Sequence, residues 1–292
     1  WNDEIKNVAG SPLSYSVGIG ISDNTSEITR YDNPTKSLNE TYYEGMKIGE
    51  IWGYETEGFI QDKTEAAEMA DRQSFISTTW IPGDIKYADL DGNGKINQGN
   101  NRVGDSGDRK IIGNNTPRYN FNINLGGSWK GFDLRLFFQG TMKRDIWLDS
   151  PIFWGYDGMW SSCLNDYHVD NSWSATNTNA YYPVPLFDKR SKQVQSKYIQ
   201  NGAFIRLKDV TLSYTIPKTL TSRIDIQQLK VYVSGQNLWE ATGLYKYLDP
   251  DVVGSRRTST ADNKTVGDLA ADAGGRVYPF TRSYSFGINV TF

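Results

Sequence analysis

The feature that most constrains this chain is a period of two. From Ser283 to Phe292 the residues alternate without a break. Tyr284, Phe286, Ile288, Val290 and Phe292 lie on one side, and Ser283, Ser285, Gly287, Asn289 and Thr291 on the other. Only an extended strand puts every second side chain on one face. The pattern recurs over 118–129, where Tyr119, Phe121, Ile123, Leu125 and Trp129 oppose Asn120, Asn122, Asn124, Gly126 and Ser128. Lys130-Gly131 then reads as a tight turn, and Phe132, Leu134, Leu136 and Phe138 return against Asp133, Arg135 and Gln139. Further strands are expected at 13–21, 209–216 and 229–236, with a weaker one around 51–61 carrying Trp52, Tyr54 and Ile60. The result is an antiparallel all-β chain of about seven strands.

What lies around such a sheet follows from composition. With 9 Trp, 18 Tyr and 12 Phe the chain is too aromatic to be disordered. No apolar run approaches the roughly 20 residues of a membrane helix. A net charge of -3 argues against a nucleic-acid partner. One Cys excludes a disulfide framework, and one His leaves little for His-based catalysis. With no triad, GxSxG elbow or CxxC pair, no enzyme is read here, and Cys163 and His168 are assigned no chemistry. The polar strand faces are Asn, Ser, Gly, Thr and Gln rather than Lys and Glu, which suits a wide hydrated lumen. Trp129, Phe132, Tyr214 and Phe292 sit at strand ends, as a membrane-interface girdle would place them. Connections alternate in length, with long segments at about 62–117, 145–202 and 240–281, the pattern of a transmembrane β-barrel with its long loops outside. The link from 22 to 47 should be short and is not, so the first strand is expected to run on through Ile28. A soluble surface β-sandwich, a lectin or adhesin, is the rival, with its apolar faces meeting each other. Seven strands cannot close a wide barrel, and open edges in lipid cost several kcal/mol per backbone group. Residue 1 is Trp with no signal peptide before it, so residues 1–292 are expected to be one portion of a larger barrel domain.

An ordered set of blocks carries a specific resemblance. It comprises Glu44-Gly45, Ile48-Gly49, WGYETEGFIQ (52–61), Pro82-Gly83-Asp84, DLDGNGKIN (89–97), Asp108-Arg109, Pro117-Arg118-Tyr119, GFDLRLFFQG (131–140), FIRLKDVTLSYTIP (204–217), VSGQNLW (233–239), Asp249-Pro250 and the closing RSYSFGINVTF. Together they resemble the C-terminal third of SusC/RagA-type TonB-dependent outer-membrane transporters. The resemblance implies a 22-stranded barrel around an N-terminal plug, of which this chain would supply the last seven or eight strands. Plug, TonB box and signal peptide are not among these residues. It also implies TonB acting through the plug, a SusD-like lipoprotein lid, outer-membrane lipid around the wall in a Gram-negative cell, and import of oligosaccharides, or of peptides in the RagA branch. Tyr284, Phe286 and Phe292 resemble the terminal signal read by the barrel-assembly machinery.

Candidate sites follow. Asp89, Asp91, Asn93, Lys95 (through its carbonyl) and Asn97 match the first nine positions of a calcium loop. The twelfth position is Asn100 rather than Glu, with Asp105 or Asp108 as stand-ins. A structural Ca²⁺ and a bare Asp/Asn/Gly turn both remain open. Trp154 and Trp160, beside Gly155 and Gly158, are the candidates to stack on sugar within the aromatic segment 146–182, whose other rings are expected to pack on the loop or a lid. Arg256 and Arg257 read as a solvated pair or an anion contact. Asn120, Asn122, Asn124, Arg135, Gln139 and Gln236 are expected to face the lumen. The helix expected at 63–72 reads as a charged, exposed one.

Overall fold

The computed structural model describes residues 1–156, 162–222, 225–253 and 278–292. Its strands are β1 (Asn2–Val8), β2 (Ser11–Ser22), β3 (Glu50–Tyr54), β4 (Thr56–Phe59), β5 (Ile85–Tyr87), β6 (Arg109–Asn114), β7 (Arg118–Trp129), β8 (Phe132–Lys143), β9 (Asp145–Ile146), β10 (Gln200–Asn201), β11 (Phe204–Thr215), β12 (Gln228–Thr242) and β13 (Ser283–Thr291). Four short helices lie between them: α1 (Lys63–Arg72), α2 (Pro151–Trp154), α3 (Asp166–Asn171) and α4 (Lys218–Thr221).

One antiparallel sheet of seven strands dominates, in the order β1-β2-β7-β8-β11-β12-β13. Neighbours in space are the long strands taken in chain order, so it is a plain meander. β2, β7, β8 and β11 have 12 residues each. Such strands rise about 40 Å, and about 30 Å once tilted as in a barrel, which matches a hydrocarbon core.

Three departures from the expected strands concern the start of the chain. The 51–61 segment does not join this sheet: β3 pairs with β6 and β4 with β5 as separate ribbons. The seventh member is β1, whose sequence NDEIKNV carries no apolar alternation because it is an exposed edge. β2 ends at Ser22 rather than running through Ile28. With these changes the misfit at 22–47 disappears. Connections of 9–10, 130–131 and 216–227 alternate with 23–117, 144–203 and 243–282. The two shortest use the same chemistry. Ala9 and Gly10 have φ of 50° and 81°, and Lys130 and Gly131 have 48° and 84°. Consecutive positive φ values give a two-residue turn the twist of its flanking strands.

Register keeps the two faces pure. Ile19 stands opposite Ile123, Ile123 opposite Phe138, Leu134 opposite Leu212, and Leu212 opposite Val233. This apolar face is not covered. Leu134, Leu212 and Val233 are exposed although their strands are paired on both sides, and Phe286 is 90% exposed. The rival sandwich required apolar faces to meet each other, and they do not.

The hydrophobic core lies elsewhere. Every one of its residues belongs to the three long connections, including Tyr54, Ile60 and Tyr87 from the first, Phe153 and Tyr198 from the second, and Tyr245 from the third. Those connections form a packed mass at one end of the sheet. α1 contributes Ala66 and Met69 to that core, so its exposed charges are one face only. Gln73, fully buried, accepts from Tyr87 N–H and donates to the Ile85 carbonyl, satisfying the edge of β5.

Candidate functional site

The polar face is built by the same register. Asn120 lies opposite Thr141, Asn122 opposite Gln139, Arg135 opposite Gly126, and Gln236 opposite Asp209. All six residues expected on one side therefore share one face, opposite the bare apolar one. Thr141 donates to Asn120 Oδ1 at 2.8 Å, and Asn124 Nδ2 donates to Asn122 Oδ1 at 3.2 Å. Glycines keep the wall shallow: a Cβ on Gly20 would come within 2.7 Å of Asn122 Nδ2. The face thus offers closely spaced amides and hydroxyls, with Arg135 and the Asp133–Lys230 pair among them.

Where β11 and β12 meet the loops, Arg206 sits nearly fully buried on this polar face. It pairs with Glu240 on the next strand and with Asp249 and Asp251 on the 243–253 segment. Lys208 joins Asp251 at 2.6 Å. Arg144 donates to the Pro250 and Val253 carbonyls at 3.1 and 3.0 Å. Two arginines of the sheet end thereby tie the third long loop down. Burial pushes the Asp249 carboxyl up, but hydrogen bonds from Arg206 and from the Asp251 and Phe280 backbone hold it below the usual carboxylate range. Removing one partner of such a group leaves an uncompensated buried charge. The sequence showed these residues only as scattered charges, because the partners lie 34 to 45 positions apart.

In the acidic turn, Asp89, Asp91 and Asp108 each bring one carboxylate oxygen within 4.8 Å of the others. Of the two stand-ins for a twelfth-position ligand, Asp108 is the one that arrives; Asp105 is engaged with Asn100. The turn also closes on itself. Asp89 accepts from Gly92 and Gly94 N–H at 2.7 Å each, and those bonds, Gly94's first, hold its carboxyl below the ordinary range. Asn93 Oδ1 accepts from Lys95 N–H, the Lys95 carbonyl from Asn97 Nδ2, and Asn97 Oδ1 from Gly99 N–H. The three carboxylates lie close together, but each already accepts N–H bonds from the loop, as do the amide and carbonyl oxygens.

The aromatic loop corrects one expectation. Trp154 is 3% exposed, packs against Phe153, Tyr182 and Tyr198, and donates from Nε1 to the Leu148 carbonyl at 3.0 Å. It has no free face for a sugar, because Ser150 caps α2 so as to drive Phe153 and Trp154 inward. Trp160, Arg256 and Arg257 lie outside the described residues. His168 is fully buried in the same ring cluster. Nε2 faces the Phe153 carbonyl at 3.0 Å, and Nδ1 accepts the Asn165 N–H at 3.3 Å, so the ring is neutral with its proton on Nε2. Burial keeps its pKa below the ordinary value.

At the short-turn end Trp129 pairs with Phe132, and Phe132 packs on Tyr214 at 4.6 Å. Tyr284, Phe286 and Phe292 are all exposed, and the first two project from the apolar face of β13.

This architecture has relatives. TonB-dependent receptor P3 of Formosa agariphila is 32% identical over 249 residues, 85% of this chain and 22% of that protein. TonB-dependent receptor P26 of the same organism is 25% identical over 236 residues, 80% and 21% respectively. The solved RagAB peptide transporter matches 96% of this chain and 27% of its own, at 20% identity and a TM-score of 0.63. The RagAB peptide importer in its closed-closed state matches 100% and 28%, at a TM-score of 0.62. No model of a known protein family matches the chain. The chain is similar over most of its length to TonB-dependent receptors, and its fold is that of part of the RagAB transporter. It spans roughly a quarter of the length of the relatives it matches. Its apolar face is exposed, as on the outer side of a transmembrane β-barrel, and its edges β1 and β13 have no further partner among the described residues.

Proposed function

We propose that the whole protein imports oligosaccharides across the bacterial outer membrane, driven by TonB acting on a plug and capped by a SusD-like surface lipoprotein. The observation that carries this reading is a sheet with two uncovered faces, one apolar and one polar and rich in amides and hydroxyls, with all its long loops gathered at one end. No bond-making chemistry is needed for it. Asn120, Asn122, Asn124, Arg135, Gln139 and Gln236 line the lumen, and the loops face the cell exterior. In the acidic turn Asp89, Asp91 and Asp108 hold a Ca²⁺ that braces the first long loop. Tyr284, Phe286 and Phe292 serve barrel assembly.

Peptide import is the second reading, favoured by the likeness to a peptide transporter at the level of fold. Uptake by whole cells separates the two. Cells carrying the intact gene should accumulate labelled oligosaccharides, cells lacking it should not, and collapsing the proton gradient should abolish the difference. Accumulation of labelled peptides instead would select the second reading. Uptake indifferent to the gradient would reject TonB dependence.

A further inference from the structure

A cavity of about 190 Å³ lies inside the first long loop, between the 38–54 segment, β6 and residues 193–194. Three buried donors that line it have no well-aligned acceptor: Trp52 Nε1, the Tyr54 hydroxyl and Arg109 Nε. The β3–β6 ribbon brings them together. Tyr54 lies directly opposite Arg109 and Trp52 opposite Ile111, so indole, phenol and guanidinium share one face. Tyr43 and Gln98 stand beside Trp52 and Tyr54 without making linear hydrogen bonds to them. Close approach of the 193–194 segment depends on Gly53, where a Cβ would meet the Val194 carbonyl at 2.6 Å.

Arg109 makes one hydrogen bond, to Asn101, and no ion pair among the described residues. Nearby carboxylates are already engaged. Glu50 accepts from the Tyr43 hydroxyl and Lys47 N–H, and Asp108 accepts from the backbone of Leu90 and Asn97. The cavity therefore holds unmet donors and one cation without an ion pair, beside apolar walls such as Met46 and Ile48 and with Glu40 and Glu50 also lining it. Orphaned buried donors are rare in folded proteins, and three on one cavity call for a common acceptor. An oxygen-rich anion answers that need best, since bonds from a guanidinium to an oxyanion are the strong, charge-assisted kind.

We propose that this cavity binds a small ligand through an oxyanion, a carboxylate or a sulfate, held by Arg109 Nε, the Tyr54 hydroxyl and Trp52 Nε1. The proposal concerns binding and stands apart from transport. The test is calorimetric titration of the full-length protein in detergent with glucuronate, with inorganic sulfate, and with glucose as the neutral control. Glucuronate or sulfate should bind, and which of them binds separates the two anions, while glucose should give no heat. Arg109→Met should weaken binding by about tenfold to a hundredfold. Tyr54→Phe should weaken it by about tenfold while leaving the ligand-free melting temperature at least as high, because the lost hydroxyl had no partner. Failure of both anions to bind would overturn the proposal, as would glucose binding as tightly as glucuronate. So would a Tyr54→Phe variant that melts lower yet binds normally.

Discussion

His168 shows what single residues decide here. Its two nitrogens are committed to opposite roles, Nε2 donating to the Phe153 carbonyl and Nδ1 accepting from Asn165 N–H. A second proton would face a donor in a buried ring cluster. The unfolded chain takes that proton near pH 6.5, whereas the folded state resists it because burial lowers the pKa. The folded state thus binds fewer protons, and stability rises with pH through this window. The contribution is fully present above about pH 7.5 and is lost as pH falls below about 6.5. The melting temperature should therefore decline less between pH 7.5 and 5.5 in His168→Phe than in the wild type. The acidic turn makes a second residue-scale prediction. Asp91 is exposed and bonds only within the turn, to Asn93. Asp91→Asn should leave the metal-free protein unchanged and abolish a Ca²⁺-dependent gain in stability. In the wild type that gain should be about 2.7 kcal/mol at a hundredfold excess over Kd, followed as a thermal shift. No shift at millimolar Ca²⁺ would mean that the turn is closed by its own backbone bonds alone.

At the scale of elements, the central strands carry the membrane reading. Leu212 sits between Leu134 and Val233, on strands paired on both sides, yet is 42% exposed. In water such a row would be an aggregation surface; in lipid it is the wall. Leu212→Arg should cost about 2–4 kcal/mol and reduce the folded fraction recovered in outer membranes. Thr211→Arg, one residue along on the polar face, should be tolerated. Equal behaviour of the two variants would contradict the assignment of faces. The same alternation made β2, β7, β8, β11, β12 and β13 legible from sequence. β1 was not, because Asp3, Glu4 and Lys6 occupy an edge strand that buries nothing. β3 and β4 misled in the opposite sense. Their apolar side chains look like a barrel strand, but Ile51, Tyr54 and Phe59 pack into the loop core.

Across the whole molecule, two stabilising systems coexist. The sheet holds by its backbone ladder and leaves its faces for lipid on one side and polar surroundings on the other. The loops hold by an aromatic core of their own and by the Arg144 and Arg206 ties to the sheet end. This division explains how a chain with mean hydropathy of -0.57 can supply a membrane wall: every second strand residue meets lipid, and the long loops are polar outside. The uptake experiment belongs at this scale, because no single residue of the segment performs transport.

What the sequence determined by itself was whatever repeats at short range. Period two set the strands and their faces, the Lys130-Gly131 pair marked the tight turn between two of them, and the ordered blocks pointed to the transporter type. What only the tertiary structure decided was whatever depends on contacts between distant segments. It buried Trp154, brought Asp108 rather than Asp105 to Asp89 and Asp91, joined Arg206 to Asp249, and set Arg109 beside Tyr54. The physical reason is that a strand face follows from local backbone geometry, whereas the partner of a loop side chain is fixed by packing among three connections that no local pattern specifies.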